Sequence, residues 1–441
     1  MNLKILIPIF VMTLILPFVY SDSLPSFNTT IYDFNITILD ILTGQVQLID
    51  VSAGNNPDVL FGAISNFTNP ALRAYNISNS SAITIISSFD LDATIFFRPR
   101  RAEVGTGDIV YLTFPENASL LIMNVSNPAS MTILGNLTKT DPTITLQGAR
   151  NIKEVGDLVY LIAGNDNAFN IINVSDKRNP VLIGNVTGAG SPNFLNFPWE
   201  LEVVGDIAFV VSGSDVGLTV INISDGRNPF VINHTPVGQA GFGEFFTNGL
   251  DAIDDLVAVS TCDFDGSETT TLLDVSDPRN PVILSFINAL NGGPNFLACT
   301  NDVKFSEVEG FTDILFNLGT LDNAVTLINF SNTSNIRTVG AIVGSAKNDG
   351  SPNFLDFVNR IEIIDDIFYT AGNGDDALGA FRWIQDFVAP LPPPTPHPPI
   401  SAELAGLPLR GVADISAMAV IIFLTIGLFI GLIGSSHKKG K

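Results

Sequence analysis

An all-β propeller of four-stranded blades is the fold predicted by this sequence, and three observations carry the prediction. A short phrase recurs six times: GDIVYL from Gly107, GDLVYL from Gly156, GDIAFV from Gly205, DDLVAV from Asp254, TDILFN from Thr312 and DDIFYT from Asp365. Its second-position aspartates, Asp108, Asp157, Asp206, Asp255, Asp313 and Asp366, stand 49, 49, 49, 58 and 53 residues apart. A period near fifty built from short apolar runs marks a repeat architecture. Within one period, residues 199–235, four apolar runs of strand length are separated by turn signals, which is one four-stranded antiparallel blade. The runs alternate only weakly, as strands do when both faces pack on neighbouring blades.

Taken in chain order, residues 1–21 have the layout of a secretory signal: Lys4, an apolar run from Ile5 to Val19, then Val19-Tyr20-Ser21. Residues 22–388 hold the repeats and form the expected ectodomain. In the unit 199–235, Gly205-Asp206 joins the first two strands as a tight hairpin with positive φ at its first central position. Phrase positions in the third strand run Asp50, Asn76, Asn124, Asn173, Asn222, Asp274, Asn329 and then Trp383. The first gap is too short for a blade, and the last unit stops after its third strand. Residues 48–64 are therefore read as a fragment supplied near the N-terminus. Pairing an N-terminal strand with the C-terminal blade closes the ring and removes its exposed edges. Seven blades result, with six and eight as alternative counts.

Residues 389–413 form a Pro-rich linker in which PLPPPTPHPP (390–399) favours a stiff polyproline II spacer of about 30 Å. Residues 414–441 follow as a membrane span with a short basic tail. The run from Ile415 to Ser436 carries no charge, and Lys438, Lys439 and Lys441 come after it. Such a run is long enough to cross a bilayer, and the lysines put the tail on the cytoplasmic side. The expectation is a single-pass cell-membrane protein with its N-terminal ectodomain outside.

Composition narrows the function classes. Forty-four acidic residues against 21 basic ones give a net charge of −23, which argues against nucleic acid, whose binding needs clustered Lys and Arg. Of the Asn-x-Ser/Thr sequons, Asn76, Asn124, Asn173, Asn222 and Asn329 fall inside the repeat phrase, where Asn suits the turn. Nine stand outside it: Asn28, Asn35, Asn66, Asn79, Asn117, Asn136, Asn185, Asn233 and Asn332. These are the expected glycosylation acceptors. No sequon lies between His234 and Ile328, which marks a bare flank for partners.

The third-to-fourth-strand phrase carries a family resemblance. NVSDKRNPVLIG (173–184), NISDGRNPFVI (222–232) and DVSDPRNPVIL (274–284) are similar to the LVIVD-repeat family. That resemblance covers roughly residues 45–386 and implies a propeller in a surface or secreted protein of bacteria or archaea. It implies no shared active site.

Candidate sites follow from the repeat. Asp166, Asp215, Asp322 and Asp376 stand seven residues before phrase positions, on loops that share one face of a propeller. An acidic rim of this kind suits Ca²⁺; Asx-turn chemistry is the structural alternative. On the same face lie GSPNFL (190–195), GGPNFL (292–297) and GSPNFL (350–355), with Phe194, Phe296 and Phe354 expected to plug blade seams. Arg178, Arg227 and Arg279 repeat on the opposite face in a solvated structural role. Cys262 follows the second strand of one blade and Cys299 sits in the loop entering the next, both on one face, so a disulfide is expected in an oxidising compartment. Only three histidines exist, His234, His397 and His437, so His-based catalytic and zinc sites lack parts. The functional expectation is non-catalytic binding of surface proteins or glycans, adhesion or scaffolding. A Ca²⁺-dependent propeller hydrolase or lactonase using the acidic rim is the alternative.

Overall fold

The computed structural model describes residues 33–386, except 45–46, 238–245, 263–267, 289–296, 298, 309–310, 344–354, 356 and 373–375. The signal, linker and membrane-span expectations lie outside these residues. Twenty-eight strands form seven four-stranded antiparallel sheets, each a blade, and no helix occurs among the described residues. The innermost strands of blades 1 to 7 are Leu48–Ala53, Arg101–Gly105, Ala149–Val155, Pro198–Val204, Phe246–Ile253, Thr300–Phe305 and Val358–Ile364. Sequential strands then run outward, so each blade is a simple meander.

Blade 7 closes the ring. Its fourth, outermost strand is Asp33–Leu42, which pairs antiparallel with Ala377–Asp386 from Asp33↔Asp386 to Leu42↔Leu378. The expected closure is therefore present, but a different segment performs it. Residues 48–64 are the first hairpin of blade 1, not a stray third strand, and Asp50 is a channel residue. The physical sign is burial: Val59–Ile64 is buried along its whole length, as only a middle strand can be.

The repeated first turn is built as expected. Gly156 and Gly205 hold φ of 61° and 57°, and Asp254 and Asp365 adopt 50° and 53° at the same place. Aspartate tolerates the left-handed region better than most residues, so it replaces glycine there. Blades are joined by apolar seams between adjacent sheets. One seam packs Phe209, Val211, Leu218 and Val220 of blade 4 against Leu250, Val257, Val259 and Leu273 of blade 5. At the opposite face from the second hairpins, the third-to-fourth-strand loop of one blade presses on the outer strand of the blade before it. A Cβ on Gly184 would meet the Gly226 carbonyl, and one on Gly135 would sit 2.5 Å from the Lys177 carbonyl.

The phrase asparagines make the turns that their position implies. Asn76, Asn124, Asn173, Asn222 and Asn329 each accept a hydrogen bond from the hydroxyl of the serine two residues on, at 2.7 Å. This Asx-turn starts the loop to the fourth strand. Cys262, at the end of blade 5's second strand, is disulfide-bonded to Cys299, just before blade 6.

Candidate functional site: the central channel and its mouth

Each innermost strand contributes to three tiers of side chains along the ring axis. In six blades the register of this strand slips once against its neighbour, between Leu48/Asp50, Ala149/Ile152, Pro198/Glu200, Thr247/Gly249, Thr300/Asp302 and Val358/Arg360. A bulge re-aims the residue that it frees. The mouth tier is thus Ile49, Arg100, Arg150, Trp199, Asn248, Asn301 and Asn359, one per blade. Within it the Asn248 amide donates to Asn301 at 3.4 Å, Asn301 to Asn359 at 3.2 Å, and Asn359 to the Phe357 carbonyl at 2.9 Å. The Arg150 guanidinium lies 4.0 Å over the Trp199 ring and 4.5 Å over that of Phe197, while Arg100 lies 5.5 Å from Trp199.

The second tier is an ion-pair plug. Arg360 reaches across the lumen to Glu200 at 2.7 Å, Asp302 at 3.2 Å and Asp50 at 3.7 Å. Arg101 meets Asp50 at 3.5 Å and Glu200 at 3.4 Å, and the Asn151 amide donates to Glu200. In the third tier Lys153 sits between Glu202 at 3.4 Å and Glu103 at 3.9 Å, and Lys304 lies 3.7 Å from Asp251. Glu362 and Ser52 complete this tier. The lower two tiers line a cavity of about 170 Å³.

These acids also stitch the blades together. Asp50 accepts the Ala102 N–H at 2.6 Å, Asp251 the Phe305 N–H at 2.7 Å and Asp302 the Ile361 N–H at 3.2 Å. Each is the innermost acid of one blade bonding the innermost strand of the next. Adjacent blades diverge there, so those N–H groups have no ladder partner and need a side-chain acceptor. Burial pushes Asp251 and Glu362 up to about 7, outweighing the attraction of Lys304.

The sequence-expected rim residues are occupied by the blade-to-blade loops beside them. Asp166 takes the Lys139 ammonium at 2.7 Å on both oxygens and the Gln147 N–H at 2.8 Å. Asp215 accepts the N–H groups of Gly190 and Asn196, both at 2.8 Å, and Asp376 accepts that of Gln47 at 2.6 Å. Asp322 is half-buried in the matching hairpin of blade 6 and also has a partner. Among the described residues no group of three or more His, Cys, Asp or Glu could hold a metal ion.

One aromatic expectation is corrected. Phe194 does not plug a seam: it is half-buried and stacks on His234 with ring centroids 4.1 Å apart. The seam residue is its neighbour Leu195, fully buried, as are Leu297 and Leu355 in the matching loops. Phe296 and Phe354 lie outside the described residues. Phenylalanine gives way to leucine here because Phe194 has φ of 49°, which turns its ring outward while Leu195 points in.

Other sequence-marked residues fall where solvent reaches them or in turns. Arg178, Arg227 and Arg279 are exposed in the third-to-fourth-strand loops. Asn79, Asn136, Asn185 and Asn332 are exposed, Asn66 and Asn233 are half-exposed, and Asn117 accepts the Phe97 N–H at 2.6 Å. Asn28 lies outside the described residues, and of Asn35 only the backbone is described. Sequence reading missed the channel. The signal was available: Lys153, Glu202, Asp251 and Glu362 each stand three residues before the repeated turn, as charges inside runs that otherwise read as buried. Arg98-Pro-Arg100-Arg101 is likewise a dense basic spot in an acidic chain.

Neither a family model nor a curated protein matches the chain. Solved structures do. The periplasmic gluconolactonase of Pseudomonas aeruginosa shares 12% identity over 67% of this chain and 85% of its own, with a TM-score of 0.55. Virginiamycin B lyase from Staphylococcus aureus shares 10% over 80% and 100%, at 0.55. Hydrazine synthase of Kuenenia stuttgartiensis shares 12% over 78% and 97%, at 0.56. At these identities the likeness is one of fold.

Proposed function

We propose that this chain is a cell-surface propeller of the LVIVD-repeat kind, glycosylated, anchored by its C-terminal span, and engaged in non-catalytic binding or scaffolding. The observation that carries the reading is the channel. In many propellers the axis is an open well, whereas here Arg360 and Arg101 tie Asp50, Glu200 and Asp302 together across it. Carboxylates already paired and bonded to backbone N–H groups are poor metal ligands or nucleophiles. Function then belongs on the outer surface. The sequon-free stretch 236–328 is proposed as the docking flank, since the outer strand of blade 5 leaves Val282, Ile283 and Phe286 at 50%, 41% and 40% exposure.

One observation favours a second reading. Asp251 and Glu362 are pushed to about 7 beside a cavity, so carboxyls suited to proton transfer near neutral pH are present. A gluconolactonase among the structural neighbours is in keeping with a hydrolase of this class. The full-length protein assayed on lactones and esters, with Ca²⁺ and with a chelator, separates the two. The binding reading expects no turnover under either condition. Turnover abolished in Glu362→Gln would replace it with the hydrolase.

A further inference from the structure

At the channel mouth between blades 1, 2 and 3 lies a pocket of about 200 Å³ lined by Ser65, Arg98, Arg100, Pro115, Glu116 and Arg150. Three guanidiniums share it with one carboxylate, in a chain whose net charge is −23 and which has only twelve arginines. Glu116 is committed to Arg98 at 3.5 Å, and Arg98 also stacks 4.3 Å over Phe67. Arg100 and Arg150 make no side-chain ion pair or hydrogen bond with any described residue, and the Arg150 Nε is buried without an acceptor. Stacking on Trp199 and Phe197 fixes the planes of these groups but uses none of their N–H donors. A guanidinium presents those donors as a rigid fork matched to two oxygens of one anion.

We propose that this pocket binds an oxyanion, the carboxylate, sulfate or phosphate group of a small or terminal ligand, held between Arg100 and Arg150 with Arg98 at the rim. The electrostatics of the pocket agree. Burial and then the charge of Arg360 pull Arg100 down to about 10, and burial and then Arg100 pull Arg150 down to about 9. Both are cations short of a counter-charge, which an anion supplies. The pocket lies on the mouth face of blades 1 to 3, apart from the docking flank of blades 5 and 6, so it adds a site to the binding reading and rests on that reading for its biological sense. Sulfate and phosphate are not turned over, so their failure to bind would remove this pocket and leave that reading standing.

The test follows thermal unfolding of the full chain in sodium sulfate, phosphate or acetate, each against sodium chloride at matched ionic strength. A kosmotropic salt stabilises any protein in proportion to its concentration, so a site shows itself by saturation. We expect a saturable rise, weakened about tenfold or more in Arg100→Gln and in Arg150→Gln and unchanged in Arg178→Gln on the opposite face. Saturation by acetate first would assign a carboxylate ligand, and saturation by sulfate or phosphate first a doubly charged one. A second measurement does not depend on the variants folding. Selenate diffused into wild-type crystals should give its strongest anomalous peak between Arg100 and Arg150. A rise no greater than chloride's, a saturable rise that survives both substitutions, or a strongest selenate peak elsewhere would overturn the proposal.

Discussion

Arg360 is the residue on which the channel turns. It is 9% exposed and faces Glu200, Asp302 and Asp50 at once. Removing one partner of a buried ion pair leaves charge uncompensated, at a cost of about 3–5 kcal/mol. Arg360→Met is therefore expected to lower stability by that amount in denaturant titration at neutral pH, and a loss below about 1 kcal/mol would contradict the plug. Asp251 and Glu362 give the molecule a pH signature. Their folded values, about 7, lie above the ordinary 3.8 and 4.5. A raised carboxyl contributes stability that is fully present below its unfolded pKa and is lost as pH rises through its folded one. Thermal midpoints should thus climb as pH falls from 8 to 5. The double variant Asp251→Asn/Glu362→Gln should flatten that slope, and an unchanged slope would place its origin elsewhere.

At the scale of the element, the blade was legible and the channel was not. Gly205-Asp206 and its relatives, the Asn-x-Ser turns and the NP-apolar starts of the outer strands are local signals, so turn chemistry alone revealed four strands per unit. The bulges that turn Trp199 and Asn301 into the mouth have no such local mark. Nor does the pairing of Glu200 with Arg360, which are 160 residues apart. The same limit explains why Asp50 was read as a third-strand residue: LIDVS imitates the phrase, and only its neighbours show that it is innermost. The rim aspartates failed to assemble for the opposite reason. A residue repeated in each second-to-third-strand turn serves the blade-to-blade loop packed beside it, as Asp215 does by accepting the Gly190 and Asn196 N–H groups. Seams between blades make their own prediction. Gly184→Ala drives a Cβ into the Gly226 carbonyl and should destabilise by about 1–3 kcal/mol; a neutral result would mean that this loop yields freely.

For the whole molecule, stability is a property of the closed ring. Neighbouring blades bury each other's faces, so each blade depends on the two seams that it makes. The Cys262–Cys299 bond spans 37 residues and ties blade 5 to blade 6. Loop-closure entropy values such a crosslink at about 3–4 kcal/mol, so Cys262→Ser/Cys299→Ser should lose that much in denaturant titration. Closure through Asp33–Leu42 also explains how an acidic chain with many apolar strands avoids an open edge at its seam. What the ring presents outward can be read by crosslinking on intact cells with a carboxyl-directed dihydrazide reagent, followed by mass spectrometry. The chain has few lysines, while Asp254, Asp255 and Asp277 are exposed within the sequon-free flank. The binding account predicts reproducible links from that flank to another surface protein or to a second copy. Links confined to the ring itself, in cells where the protein is abundant and displayed, would contradict it.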